Sequence, residues 1–178
     1  MRELCYSALD LAAIISTMDL SQKKEIDLLN VIWGMERPFL DRKYRDNHRQ
    51  LILDTLYWMH YFYEKPILDG EFPAVQRDLS HNSLSMQQEN YVSDFSDLDL
   101  FFKNMRIRIL YGGGKDYVRM KLRTLLRQYG YQRRSPKLLA HINHCMLFYH
   151  LEATLKGGIE CRIEDVGIDQ MLTFRVIS

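Results

Sequence analysis

The strongest constraint on this chain is its punctuation. Gly112-Gly113-Gly114, Gly130, Ser135-Pro136, Gly157-Gly158 and Gly167 cut the C-terminal part into short elements. Met105-Arg106-Ile107-Arg108-Ile109-Leu110-Tyr111 alternates basic and apolar side chains with period two, which predicts a half-buried strand ended by the three glycines. Val118, Leu122, Leu125, Leu126 and Tyr129 fall on one face of a helix predicted over 116–129, and Gly130 stands where a left-handed residue closes a helix. After the basic turn Tyr131-Gln132-Arg133-Arg134, Ser135-Pro136 is a serine N-cap followed by proline at the first helical position. The helix it opens is predicted to reach Lys156. Ile159, Cys161 and Ile163 then alternate with Glu160, Arg162 and Glu164, and Leu172, Phe174 and Val176 with Thr173 and Arg175. Gly167-Ile168-Asp169 between them suits a hairpin.

The N-terminal part reads as helical. Leu4, Ala8, Leu11, Ala12 and Ile15 recur at three- and four-residue spacing. Asp19, with Gln22 three residues on, is the expected cap of a second helix that buries Ile26, Leu29, Ile32 and Trp33 and closes at Gly34 and Pro38. A third helix is expected to start near Asp46 or Asn47, to carry Leu51, Ile52, Thr55, Leu56, Met59 and Phe62, and to stop at Lys65-Pro66. Its end, Tyr57-Trp58-Met59-His60-Tyr61-Phe62-Tyr63, places aromatics all round the helix. That suits a central core helix first, then a dimer interface or a base-stacking surface.

Residues 66–100 gather proline, glycine, serine and asparagine with the acidic residues Asp69, Glu71, Asp78, Glu89, Asp94, Asp97 and Asp99, opposed only by Arg77. A connection of that length is unusual inside one domain. The expected organisation is a helical bundle over 1–66, an acidic connecting segment over 67–100 with short helices near Pro73–Leu79 and Ser96–Phe102, and a second domain over 101–178. The fold class is mainly α with a small β component.

Charge sharpens the division. The formal net charge of +1 is a cancellation: residues 1–100 hold 10 Lys/Arg against 17 Asp/Glu, a net of −7, and residues 101–178 hold 14 against 6, a net of +8. Between Lys103 and Lys137 eleven basic residues face one acidic one, Asp116. Such asymmetry points to nucleic acid, a membrane surface or an acidic partner.

Strand, helix, glycine turn, capped helix and terminal hairpin is the element order of a winged-helix domain, with its first helix supplied by the Asp97–Lys103 region. The C-terminal part thus resembles the winged-helix superfamily. The resemblance implies that Pro136–Lys156 is the recognition helix and that Ile159–Ile177 is the wing. Lys115, Arg119, Arg123 and Arg127 repeat every four residues, a stripe along the first helix of the helix-turn-helix. With Arg133 and Arg134 in the turn they are the expected phosphate contacts, and Lys137, His141 and His144, with Asn143 nearby, the expected base contacts. The leading expectation is a non-enzymatic regulator of transcription that binds double-stranded DNA as a homodimer. Two alternatives stand beside it: an assembly module whose basic face docks the acidic 69–99 segment of another copy, and a nucleic-acid-processing enzyme. A plain solvated face is the blandest reading of the same basic run.

Other chemistry is weakly signalled. Gly112-Gly113-Gly114-Lys115 fails as a phosphate loop because Ile109 stands where its first glycine belongs and Asp116 where a magnesium-holding hydroxyl belongs. His141, His144 and Cys145 are helical neighbours but lack further zinc ligands of matching spacing, and Asp94, Asp97 and Asp99 read more simply as a solubilising loop than as a magnesium site. No cofactor and no metal are expected. Cys5, Cys145 and Cys161 are odd in number and unpaired in spacing, which predicts reduced thiols. No stretch approaches the roughly 20 apolar residues that span a bilayer, and Glu3 and Asp10 interrupt any leader-like pattern in Met1–Thr17. A cytoplasmic protein without a membrane partner is the expectation.

Overall fold

In a computed structural model the chain divides into two units, Met1–Tyr91 and Val92–Ser178, a division that falls within the acidic 67–100 segment. The structure describes residues 4–63, 96–128 and 131–177. The Pro73–Leu79 helix, the Lys65-Pro66 stop, the role of Gly130 and most of the acidic segment lie outside them. Among the described residues no helix is long and apolar enough to cross a membrane.

The N-terminal unit is helical. Helix α1 (Ala8–Ser16) is capped reciprocally: Ser7 Oγ accepts the Asp10 amide at 3.1 Å and Asp10 Oδ2 accepts the Ser7 amide at 2.9 Å. Leu11, Ala12 and Ile15 are buried, as their spacing predicts. Helix α2 (Gln22–Met35) begins two residues later than expected. Ser21 occupies the N-cap position, while Asp19 takes a φ of 53°, a left-handed conformation that aspartate tolerates better than most residues. Gly34 lies inside the last turn of α2 rather than ending it.

A short 3₁₀ turn (Arg37–Phe39) and helix α3 (Arg42–Arg45) lead into α4 (His48–Tyr63), whose start is marked by Asn47 Oδ1 accepting the Gln50 amide. Helix α4 packs on α1, α2 and α3. It buries Leu51, Thr55, Tyr57 and Met59, with Leu53 and Trp58 packed against Tyr57. The side chains of His60–Tyr63 lie outside the described residues. A buried polar pair ties α3 to α4: Tyr44 Oη donates to Asp54 Oδ2 at 2.6 Å while Gln50 Nε2 donates to Asp54 Oδ1 at 2.5 Å. Tyr44→Phe removes the donor but leaves the carboxylate buried, so thermal unfolding should show a loss of about 1–3 kcal/mol.

The C-terminal unit corrects the expected element boundaries. Residues 105–111 are not a strand but the second half of helix α5 (Ser96–Tyr111). The alternation misled because it assigned the basic side chains to solvent. Arg106 is instead buried and Arg108 half-buried, and Arg106 Nη1 donates to the Tyr149 carbonyl oxygen at 2.7 Å. Gly112 then closes α5 so tightly that a Cβ there would lie 2.6 Å from the Arg108 carbonyl oxygen.

The predicted 116–129 helix divides into strand β1 (Val118–Lys121) and helix α6 (Leu122–Gln128). The first residues alternate half-buried and exposed and pair with β3 (Met171–Val176), whereas Leu122, Leu125 and Leu126 retain helical spacing and are buried.

Helix α7 (Pro136–Phe148) opens as predicted, with Ser135 Oγ accepting the Leu138 amide at 3.1 Å. It ends at Phe148 rather than Lys156, because His150 takes a φ of 50° and the chain turns into β2 (Leu151–Thr154). The hairpin partner of β3 is therefore β2 and not Ile159–Ile163. Glu160 makes only an isolated bridge to Thr154, and Ile159 is exposed.

The sheet is antiparallel in the order β1-β3-β2. Helix α5 packs on β3, α6 on β1 and α7 on both β2 and α5. Phe102 and Phe174, both fully buried, meet edge to face with ring centroids 6.5 Å apart. Over the described residues the protein is mainly α with a small β component, as expected.

Candidate nucleic-acid interface and a buried Asp–His–Cys cluster

Helix α7 has two faces. Leu138, Ile142 and Cys145 are buried at helical spacing, and the opposite stripe of Lys137, Ala140, Asn143, His144 and Leu147 is exposed along the whole element. Thirteen residues at about 1.5 Å each make α7 roughly 20 Å long, shorter than expected and commensurate with a DNA groove contact. Its N-terminus is the positive end of the helix dipole, which favours an anion, with Arg133 and Lys137 exposed beside it.

Arg134 behaves differently from its neighbour. Its Nη1 donates to the carbonyl oxygens of Ile163 (2.9 Å), Glu164 (3.1 Å) and Val166 (2.5 Å), so the guanidinium organises the loop after β2.

The four-residue repeat does not form one helical stripe. Lys115 lies in the loop after α5, Arg119 on β1, and only Arg123 and Arg127 on α6. Lys115, Arg119 and Arg175 instead place their cationic groups 5.5, 5.3 and 5.4 Å from the Tyr117 ring centroid. Tyr117 and Arg175 were missed in the sequence. The interleaving of Tyr117 between Lys115 and Arg119 was the available signal; β3 brings in Arg175.

Arg123 forms a two-toothed ion pair with Asp169, Nε to Oδ1 at 2.6 Å and Nη2 to Oδ2 at 2.7 Å. The hydrogen bond holds the Asp169 carboxyl below its usual range. Arg127 remains exposed and, with Arg123, Leu126, Tyr131, Gln132 and Ile168, lines a cleft of about 300 Å³.

The loop 155–170 is itself acidic, with Glu160, Glu164, Asp165 and Asp169 against Lys156 and Arg162. Glu164 accepts from Arg162 at 2.6 Å and from Asn143 at 3.4 Å. This loop is thus net negative, and the exposed Arg127, Arg133 and Lys137 and the cations around Tyr117 lie outside it.

His141, an expected base contact, points elsewhere. Its Nε2 lies 2.5 Å from Asp99 Oδ1 on α5, and Cys145 Sγ lies 3.3 Å from the same oxygen and 3.5 Å from His141 Nε2. Burial first, then the charge of Asp99 and its hydrogen bond, push the Cys145 thiol far up, with Lys103 opposing. A thiol held up in this way is a poor nucleophile while no cation sits beside it. Sequence spacing paired His141 with Cys145 but grouped them with His144, which is exposed. Asp99, 42 positions before His141, joins them only through the packing of α5 on α7. Among the described residues no disulfide joins Cys5, Cys145 and Cys161.

No family model, curated protein or solved structure matches this chain.

Proposed function

We propose that the C-terminal unit is a winged-helix-like domain that binds double-stranded DNA and that the protein is a non-enzymatic regulator of transcription. The order helix, strand, helix, helix, strand, strand, with β3 between β1 and β2, supports the resemblance. The observation that carries the reading is α7: capped and flanked by Arg133 and Lys137 at its N-terminus, and exposed along one face from Lys137 to His144. In this reading Arg127, Arg133 and Lys137 hold phosphates, Lys115, Arg119 and Arg175 add positive charge around Tyr117, and Asn143 and His144 approach base edges. Arg134 shapes the unit, and His141 faces inward.

The test is duplex-DNA binding by fluorescence anisotropy from 50 to 200 mM salt. Each lost phosphate contact lowers the salt slope by about 0.9, so the Arg127→Ala/Arg133→Ala/Lys137→Ala protein should have a slope shallower by about 2.7. Across that fourfold rise in salt the unaltered protein should lose roughly 40-fold more affinity than the variant. Absence of DNA binding, or an unchanged slope, overturns the proposal.

One observation favours a second reading. Ala140 and Leu147 lie on the same exposed stripe, and Leu147 is 78% exposed, which suits a protein partner docking on α7. Salt-sensitive self-association without DNA affinity would select that alternative.

A further inference from the structure

We propose that Asp99, His141 and Cys145 form a binding site for one divalent transition-metal ion of the zinc class, joining α5 to α7. One ligand atom from each residue lies within 4.8 Å of the others. The three residues come from two packed helices, and His141 and Cys145 are one turn apart on α7, so both project to the same side.

The spacing fits an ion of this kind. Bond lengths of about 2.3 Å to sulfur and 2.0–2.1 Å to nitrogen or oxygen put tetrahedral ligand atoms roughly 3.3–3.6 Å apart. Pairs that include sulfur fall at the upper end of that range: the sulfur-to-nitrogen separation, 3.5 Å, already matches it, and the sulfur-to-oxygen separation, 3.3 Å, must lengthen by about 0.2 Å. The Asp99–His141 pair, at 2.5 Å, must open by roughly 0.8 Å as the ion replaces the hydrogen between them.

The donor set selects the ion. Carboxylate, imidazole and thiolate together suit zinc and its neighbours, whereas magnesium and calcium call for oxygen ligands throughout. Binding forms metal–sulfur, metal–nitrogen and metal–oxygen bonds. The thiol proton leaves to solvent, and the hydrogen between Asp99 and His141 Nε2 is likewise given up to solvent, so that the imidazole ligates through Nε2 with its hydrogen on Nδ1. A 2+ ion then meets two anions, Asp99 and the Cys145 thiolate, with the buried Lys103 cation nearby, and that pairing is what makes the buried ion tolerable. Among the described residues these three supply the protein ligands. Nucleophilic chemistry does not compete for these residues, because the Cys145 side chain is fully buried.

The experiment is a cobalt(II) titration of the full chain carrying Cys5→Ser and Cys161→Ser, which leaves Cys145 as the single thiol. The expected result is a thiolate-to-cobalt charge-transfer band in the near ultraviolet, with visible bands of four-coordinate intensity. These should saturate at one equivalent, be bleached by zinc(II), and accompany a rise in melting temperature. Adding Cys145→Ser should abolish the charge-transfer band. His141→Asn should weaken cobalt binding at least tenfold while far-UV circular dichroism confirms that the variant is folded. No charge-transfer band in the single-thiol protein, a band that survives Cys145→Ser, or unchanged affinity in folded His141→Asn overturns the site. None of these readouts involves DNA, so failure here and failure of the DNA reading are separate results.

Discussion

Replacing Phe174 by alanine should cost the C-terminal unit about 3–5 kcal/mol, a large share of the roughly 5–15 kcal/mol that stabilises a typical domain. Phe174 is fully buried at the centre of the sheet. It pairs with Val118 on one side and Ala153 on the other, and its ring meets Phe102 of α5 edge to face. Truncation empties a position on the central strand where both edge strands and α5 meet. Hydrogen exchange of the 118–121 and 171–176 amides should accelerate together. Phe174→Leu, which keeps most of the volume, should restore most of the protection. The contrasting control is Leu147→Ala on the exposed stripe, expected to shift stability by no more than about 0.5 kcal/mol. Protection of the strands in Phe174→Ala equal to that of the unaltered protein would refute the proposed packing.

Arg134→Ala should destabilise the same unit by about 2–3 kcal/mol, whereas Arg133→Ala should leave stability within about 0.5 kcal/mol of the original. The two residues are adjacent and chemically identical, and the difference lies in their surroundings. Arg133 is exposed. Arg134 is half-buried and gathers the Ile163, Glu164 and Val166 carbonyl oxygens. Arg134→Lys keeps the charge but loses the planar fork, so it should recover only a minor part of the loss. Urea denaturation followed by far-UV circular dichroism checks all three. Equal midpoints for Arg133→Ala and Arg134→Ala would show that Arg134 is not the loop's anchor.

What could be read in the sequence was local. Ser135-Pro136 announced the start of α7, and the inner face of Leu138, Ile142 and Cys145 followed from spacing, because capping and periodicity act within one or two turns. The end of α7 carried no such mark. Tyr149–Thr154 contains neither glycine nor proline, and its conversion to β2 depends on pairing with Glu152↔Arg175 and Ala153↔Phe174, partners more than twenty positions away. Residues 105–111 misled in the opposite direction: a clear period of two was overridden by burial of Arg106 against the Tyr149 carbonyl. The candidate interface divides likewise. Arg127, Arg133, Lys137 and His144 are exposed, as a basic surface requires, but Arg123, Arg134 and His141 are engaged by Asp169, the loop carbonyls and Asp99. Those partners are distant in sequence, and a count of basic residues treats all seven alike.

Helix α7 is one stiff rod serving two environments, with His141 and Cys145 turned toward α5 and Lys137, Asn143 and His144 turned outward less than a helical turn away. Reciprocity between the two sides follows. Any factor by which occupancy of the inner side changes affinity on the outer side must equal the factor by which an outer ligand changes affinity on the inner side. Affinity measured on either face with the other empty and then filled therefore yields a single coupling constant for the helix.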